Sequence, residues 1–397
     1  MPDVTALAVW TAKNRSGLLA RDLRREYVFS YAPDAENDSQ VSLTMPVRLA
    51  SWTSRELHPI FQMNLPEGAL LEAIRRSIAK VIGEDDLSIL RVTGGNQLGR
   101  NRFTLPADTS PRITETSESL NELLTYPNTQ ELFHELVTKY ALRSGISGIQ
   151  PKVLLDATQR GTLTSAGYIV KSWGNDYPYL AANEYFCMMA AKRAGLPTPE
   201  FFLAENGGLF IMRRFDVCSD GTAIGFEDMC SLQALGTSQK YSSSYERVAK
   251  NIRDYVSRER LMAAREQFFA SLVLSVMVRN GDAHLKNFGV LYNNPESAIS
   301  LAPVYDVVTT TAYIKNDVPA LSLGGTKKWW SRKVLENFAV SYLSLPSGVA
   351  AAIFSRLAEA VTETRGVIPG YIAAHPEFRE IGERMMAVWN EGVSNLR

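Results

Sequence analysis

The sequence predicts an α+β fold with a β-rich N-terminal subdomain, a small mixed lobe and a mostly helical C-terminal lobe. Short β-rich segments separated by polar, turn-prone stretches occur at residues 5–11, 26–31 and 41–45. Strand and helix patterns then alternate, and from Glu227 onward the hydrophobic periodicity is mostly helical. Where these patterns change we place the domain boundaries, which predicts domains over 1–110, 111–216 and 217–397.

Composition limits the classes of protein to consider. The chain has 397 residues, of which 45% are hydrophobic and 21% charged, as in an ordinary globular protein with a large core. Its formal net charge is zero, so a DNA contact would need a local basic patch or a partner. The three cysteines, Cys187, Cys218 and Cys230, lack the spacing of metal ligands, and we expect them to be reduced residues of the core. Neither a signal pattern nor a membrane-length apolar run is visible, which favours a cytoplasmic protein.

Local patterns predict the individual elements. Strands are expected at 102–105, 288–292 and 304–308. Helices are expected at 69–81, 85–92, 129–142, 180–194, 245–256, 258–278, 334–338, 349–364 and 377–391. The glycine-rich stretch 94–100 favours a plain turn over a phosphate loop, because no Lys-Ser/Thr pair follows the glycines.

The stretch 280–288, between an apolar helix and an apolar strand, carries the strongest chemical signal. Asp282 precedes Asn287 with the spacing of a protein-kinase catalytic loop, in which the Asp accepts the proton of the attacking hydroxyl and the Asn holds magnesium. Asp306 follows inside an apolar strand pattern, where a second metal-holding carboxylate is expected. These groups suit Mg²⁺ bridging ATP phosphates. The alternative is a polar turn capped by Asp282.

Other kinase-like features precede this loop in the expected order. The stretch 143–155 holds two glycines and two serines, which suits backbone contact with phosphates or an ordinary turn. Lys171 ends an apolar strand pattern, either to grip ATP phosphates or to face solvent. Glu184 is placed to pair with Lys171 or to lie exposed on its helix. Residues 209–216 fit a hinge that meets adenine, with Phe215 packed on the base or in the core.

Taken together, these motifs resemble the HipA family of bacterial serine/threonine kinase toxins over nearly the whole chain. The order of the short motifs is the family's own, and coincidence is a poor explanation for so many matches. The matching segments are 31–33, 43–46, 64–68, 148–152, 168–171, 183–185, 214–216, 227–230, 281–288 and 303–306.

The resemblance implies a protein-kinase-like two-lobed fold and a role for each matched residue. Asp282 would be the catalytic base, while Asn287 and Asp306 would hold Mg²⁺. ATP phosphates would be bound by Lys171 together with the loop residues Ser147, Gly148, Ile149, Gln150, Pro151 and Lys152. Further nucleotide neighbours would be His284, Lys286 and Tyr305, and the hinge would consist of Arg213, Arg214 and Phe215.

The resemblance also implies a biological setting. Known members phosphorylate a protein, an aminoacyl-tRNA synthetase, which stalls translation and growth. They silence themselves by autophosphorylation of a serine in the glycine-rich loop. A small DNA-binding antitoxin, HipB-like, binds such toxins and represses the shared operon, so the toxin would reach operator DNA only through its partner.

Two departures from the family pattern affect these expectations. Gly145 stands where the best-known pattern has its regulatory serine, so we predict Ser147 as the autophosphorylation site and Ser144 as second choice. A phosphate at Ser147 adds about −1.5 to −2 charges to a loop that must approach ATP, which disfavours nucleotide binding. Arg213 replaces an acidic hinge residue of the best-known member, which leaves nucleotide preference open.

Two rival functions remain at the level of sequence. Small-molecule phosphotransferases of the aminoglycoside or choline kinase type share the Gly-Asp-x-His-x-x-Asn pattern of the catalytic loop. The β-rich N-terminal subdomain and the Gly-Ile-Gln-Pro-Lys loop favour HipA over them. The second rival is a catalytically silent co-repressor that acts with a DNA-binding antitoxin. Every catalytic residue type is present, which argues against this second function.

Overall fold

A five-stranded antiparallel sheet forms the N-terminal part of the chain in the computed structural model. Its strands, in the order β4-β3-β2-β1-β5, are β1 (Ala6–Thr11), β2 (Asn14–Arg21), β3 (Tyr27–Tyr31), β4 (Trp52–Ser54) and β5 (Asn101–Thr104). Helices α1 (Pro59–Gln62) and α2 (Asp86–Thr93) pack against it through a shared apolar cluster.

The structure describes residues 4–397 except 13, 64, 68–70, 72–73, 76–82, 84, 96, 112–118, 128–130, 133–134, 136–160, 165–166 and 175.

The predicted strand at 41–45 is wrong. This stretch is a turn that closes with an isolated bridge between Ser42 and Met45. The Ser42 hydroxyl and the Leu43 N–H each donate to the Glu227 carboxylate at 2.7 Å. Because these groups bind a buried side chain of another region, they are not paired in a sheet ladder.

A second antiparallel sheet lies in the middle of the chain. Its order is β6-β7-β9-β8, with β6 (Gly161–Thr164), β7 (Tyr168–Ser172), β8 (Phe201–Leu203) and β9 (Leu209–Arg213). Helix α3 (Leu120–Thr125) packs on one side and α4 (Leu180–Arg193) on the other. The predicted helices at 69–81 and 129–142 lie largely outside the described residues, and the loop 144–152 lies entirely outside them.

Helix α4 follows the prediction closely. It ends at Arg193, one residue before the predicted end, and Gly195 beyond it adopts φ +72°. Glycine reaches this left-handed conformation without the steric cost of a Cβ, so it terminates the helix. The apolar face of α4 packs Phe186 into the same cluster as Phe210 of β9. Glu184 of the same helix reaches Nζ of Lys171 on β7 at 2.7 Å.

The C-terminal part is mostly helical, as predicted. Its helices are α5 (Met229–Leu232), α6 (Tyr245–Tyr255), α7 (Leu261–Met277), α8 (Arg332–Leu343), α9 (Ser347–Ala374) and α10 (Arg379–Ser394). A three-stranded sheet in the order β10-β11-β12 joins them, with β10 (Gly225–Asp228), β11 (Gly289–Tyr292) and β12 (Ser300–Leu301). Helix α7 is buried on all sides from Phe268 to its end, as expected of the central part of a core helix.

Helix α9 extends ten residues beyond the predicted end at Thr364, despite Pro369 in its last turns. Ile368 and Ile372 are buried on either side of the proline, so tertiary packing offsets the lost N–H.

Cys218 was expected in the core but is exposed, because it opens a tight turn with Gly221. None of the helices in the described part of the chain is long and apolar enough to cross a bilayer.

His58 gives the fold a testable pH dependence. Its ring accepts a hydrogen bond from the Ile60 N–H at the start of α1, and burial lowers its pKa from 6.5 to about 4. The unfolded chain therefore binds this proton first as the pH falls below 6.5, and the folded state loses stability until about pH 4.

His58→Asn keeps a helix-capping acceptor and removes this titration. Between pH 7.5 and pH 4 its free energy of unfolding should fall by about 3 kcal/mol less than that of the wild type. Urea denaturation at a series of pH values measures the difference. Parallel stability curves for the two proteins would contradict the assignment.

Candidate active site

Helix α7 delivers the loop 280–288 to the surface of the helical lobe. The chain leaves the helix through Arg279, at φ +57°, and turns at Gly281. A Cβ at Gly281 would lie 2.0 Å from an Asp317 carboxylate oxygen and 2.9 Å from the Thr310 hydroxyl, so a larger residue here would displace both side chains. The turn Leu285–Asn287 follows, held by a 2.8 Å bond from the His284 N–H to Oδ1 of Asn287. The local structure therefore fixes Asn287 relative to Asp282.

Asp282 is half-buried and anchored on both sides. Its backbone N–H donates to Oδ1 of Asn280 at 3.1 Å, and its Oδ1 accepts from the Tyr241 hydroxyl at 2.7 Å. The Tyr241 ring lies edge-on to His284, with 5.2 Å between ring centroids. Sequence reasoning identified Asp282 but not Tyr241, since a tyrosine in a polar loop gives no motif signal.

Asp306 brings the two halves of the site together. Its Oδ1 accepts from Nζ of Lys171 at 2.6 Å, and its Oδ2 accepts from Nδ2 of Asn287 at 2.7 Å. The predicted strand at 304–308 is wrong, because Asp306 adopts φ +60° and breaks the extended backbone. Three residues that the sequence singled out separately therefore meet at one carboxylate.

Lys171 is shared between two acids. Its Nζ also contacts Oε1 of Glu184 at 2.7 Å, and the two side chains are only 16% and 4% exposed. Burial acts to lower the pKa of Lys171, but the Asp306 and Glu184 carboxylates outweigh it and raise the pKa above its ordinary value. Lys171 is therefore a buried ammonium whose charge depends on these two partners.

A second ionic cluster links the catalytic loop to the N-terminal part of the chain. Nζ of Lys286 pairs with Glu67, whose other oxygen lies 2.8 Å from Nζ of Lys240. Burial lowers the pKa of Lys286, but Asp228 and Glu67 outweigh it and raise the pKa. Lys286 was predicted beside the nucleotide, whereas Glu67 was noted only as part of a matching segment.

The aromatic neighbours of the site are placed by the same loop. The Tyr305 hydroxyl donates to the Lys286 carbonyl at 2.7 Å, and its ring stacks on Phe215 at 5.0 Å. Burial lowers the pKa of His284, which favours a neutral imidazole. Nδ1 of His284 is buried and has no hydrogen-bond partner among the described residues. An unsatisfied buried nitrogen at this position suits contact with a bound polar ligand.

The predicted hinge residues differ in their surroundings. The Arg213 guanidinium is exposed and pairs with Glu200 at 2.8 Å. Arg214 is buried, bonds both Asp216 oxygens at 3.0 and 2.5 Å, and donates to the Gln97 carbonyl at 2.8 Å. Arg214 thus ties the hinge to the N-terminal part, and adenine contact here would use backbone groups.

The residues present fit a magnesium ion by donor chemistry, with one condition. Asp306 and Asn287 offer the hard oxygen ligands that Mg²⁺ prefers. Oδ1 of Asn287 already accepts from the His284 N–H, while Nδ2 faces Asp306. Metal binding by Asn287 therefore requires its amide to turn. The described residues contain no group of three or more His, Cys, Asp or Glu side chains placed to hold a metal ion.

Family models match most of the chain. The HipA N-terminal domain matches residues 7–104, and the HipA-like C-terminal domain matches residues 144–365. The first match covers the N-terminal five-stranded sheet, and the second covers the second sheet and most of the helical part. The second match alone spans more than half of the chain. The chain therefore belongs to the HipA family, as the sequence motifs indicated.

Individual relatives agree with this assignment. "Putative kinase Y4mE" of Sinorhizobium fredii is 27% identical over 78% of both chains. "Putative kinase" of Haemophilus influenzae is 29% identical over 42% of this chain and 53% of its own. The solved HipA of Shewanella oneidensis, in a complex with HipB and operator DNA, superposes with a TM-score of 0.68 at 17% identity and 97% coverage of both chains. This last likeness confirms the predicted α+β fold.

Loss of Lys171 should destabilise the protein. In Lys171→Met the buried Glu184 carboxylate loses its cation, which costs about 3 kcal/mol for an uncompensated buried charge. The free energy of unfolding from urea denaturation measures this loss. The matched control is Lys250→Met, which breaks the pair with Asp254 at an exposed position and should change little. Equal losses in the two variants would contradict the assignment of Lys171 as a buried ionic centre.

Proposed function

We propose that the chain is an ATP- and Mg²⁺-dependent serine/threonine-protein kinase toxin. The contacts of Asp306 with Lys171 and Asn287 carry this proposal, together with the pair between Lys171 and Glu184. They unite the lysine, helix glutamate, catalytic-loop amide and metal carboxylate that a kinase needs. Membership of the HipA family and the kinase names of the relatives support the same activity.

Each residue has a defined task in the proposed transfer. Asp282 would accept the proton of the substrate hydroxyl as the hydroxyl oxygen bonds to the γ-phosphorus, while the bond from the γ-phosphorus to the β-phosphate oxygen breaks and ADP leaves. Lys171 would exchange Asp306 for ATP phosphate oxygens while keeping Glu184 as its anchor. Asn287 and Asp306 would hold Mg²⁺, which offsets phosphate charge when bound. His284, Lys286, Tyr305 and the hinge 213–215 would line the nucleotide site.

The HipA family and one solved neighbour support a proposal about partners. The Shewanella HipA was solved with HipB and operator DNA, and we propose a HipB-like antitoxin for this chain. The net charge of zero favours contact with operator DNA through that partner. The proposed substrate is a cytoplasmic protein of translation, with an aminoacyl-tRNA synthetase as the first candidate. We also propose the division into domains 1–110, 111–216 and 217–397.

Intact mass after incubation with Mg²⁺ and ATP tests the activity. Wild type should gain one phosphate, and Asp282→Asn should gain none over the same time because the proposed base is lost. Asp254→Asn, a substitution of an exposed aspartate on α6, is the matched control and should behave as wild type. The same gain in Asp282→Asn as in wild type would contradict the assigned base. A strong ATPase response to small alcohols would favour a small-molecule phosphotransferase instead.

The site of self-modification has its own test. Ser147→Ala should abolish the mass gain and leave transfer to an added acceptor active, because the loop no longer acquires a charge that repels ATP. Peptide mapping locates the phosphate in wild type, and Ser144→Ala is the matched control. An unchanged stoichiometry in Ser147→Ala would show that another residue is the acceptor.

A further inference from the structure

The segment 236–244 lies against the loop 280–288 and is bonded both to this loop and to Lys327. The Leu285 N–H donates to the Lys240 carbonyl at 3.2 Å, and Nζ of Lys327 donates to the Tyr241 carbonyl at 3.2 Å. The Lys240 side chain reaches Glu67 of the N-terminal part at 2.8 Å. The backbone that carries Tyr241 is therefore held by the catalytic loop and by two lysine contacts.

The Tyr241 side chain is directed at Asp282 although it is 43% exposed. Its hydroxyl donates to Oδ1 of Asp282 at 2.7 Å, within the usual range for a bond to a carboxylate. His284 packs edge-on against the ring, and Nζ of Lys240 lies 5.5 Å from the ring centroid. An exposed phenol can be satisfied by water, so these ring contacts explain why it points at the carboxylate.

We propose that Tyr241 is a positioning residue for the catalytic base Asp282, an inference that rests on the proposed function. A general base must hold one oxygen within hydrogen-bond reach of the proton that it takes. The hydroxyl of Tyr241 holds Oδ1, and the bond from the Asp282 N–H to Asn280 holds the backbone. Oδ2 is then the oxygen that accepts the proton of the substrate hydroxyl.

This role differs from that of a residue that merely stabilises the loop. A fixed carboxylate rotamer lowers the cost of reaching the reactive geometry, and small misplacements of a catalytic group can cost about 100-fold in rate. Loss of the Tyr241 hydroxyl should thus lower kcat. Because Tyr241 acts through Asp282, the same loss should have no effect once the Asp282 carboxylate is replaced.

The experiment compares wild type, Tyr241→Phe, Asp282→Asn and the double variant in the full-length protein. Phosphate incorporation from radiolabelled ATP and Mg²⁺ is measured in the protein itself and in casein as a generic acceptor. Tyr241→Phe should lower kcat about 10- to 100-fold and change the KM for ATP less than twofold. In the Asp282→Asn background, Tyr241→Phe should leave the residual rate unchanged. Tyr342→Phe, an exposed tyrosine on α8, is the matched control.

Four results would each overturn part of the proposal. An unchanged kcat in Tyr241→Phe, or an equal loss in both backgrounds, would reject positioning through Asp282 and leave the proposed function intact. A faster Tyr241→Phe would show that the phenol competes with the substrate hydroxyl for the base. Equal rates in wild type and Asp282→Asn would reject Asp282 as the base, and the role of Tyr241 would fall with it.

Discussion

The carboxylate of Asp306 is the point on which the candidate site depends. One oxygen binds Lys171 from the second sheet, and the other binds Asn287 from the catalytic loop. Its backbone lies in the left-handed region, which costs a non-glycine residue roughly 1–3 kcal/mol. The bonds from Lys171 and Asn287 to the Asp306 carboxylate offset this strain. In the proposed kinase, Asp306 would bind Mg²⁺ and Lys171 would bind ATP, so both ligands require that Lys171 leaves Asp306.

Contacts between the N-terminal part and the rest of the chain make it a component of the site. Buried Glu227 accepts from Ser42, Leu43 and Tyr292, at 2.6–2.7 Å. Burial raises the pKa of Glu227, and the three donors act against this shift. Asp216 also accepts from the Gly99 N–H at 2.7 Å, beside the hinge. A partner that moved the N-terminal part would therefore act on the hinge and on the loop that holds Lys286.

Much of the site could be predicted from sequence because its residues lie in short, spaced motifs. The stop signal at Gly195 marked the end of helix α4, and a long apolar run marked helix α7. The residues Lys171, Glu184, Asn287 and Asp306 meet as the order of kinase motifs implies. The predicted strand at 304–308 was wrong because an apolar pattern does not reveal that Asp306 has a left-handed backbone conformation. The predicted strand at 41–45 was wrong because backbone and hydroxyl groups of this turn bind Glu227, a partner far away in sequence.

The contacts of Tyr241 and Glu67 with this loop could not be predicted, for a related reason. Each reaches the catalytic loop through a tertiary contact, Tyr241 to Asp282 and Glu67 to Lys286. Neither lies at a fixed spacing from the loop, so no local pattern marks it. Contacts between such distant segments become visible only when the fold brings the segments together.

Binding of a non-hydrolysable ATP analogue tests the account most directly. Isothermal titration calorimetry with and without Mg²⁺ would compare wild type with Asp306→Asn, which retains the pair between Lys171 and Glu184. Wild type should bind the analogue more tightly with Mg²⁺ than with EDTA, and Asp306→Asn should lose that difference. An equal dependence on Mg²⁺ in the two proteins would show that Asp306 does not hold the metal and would contradict the proposed centre.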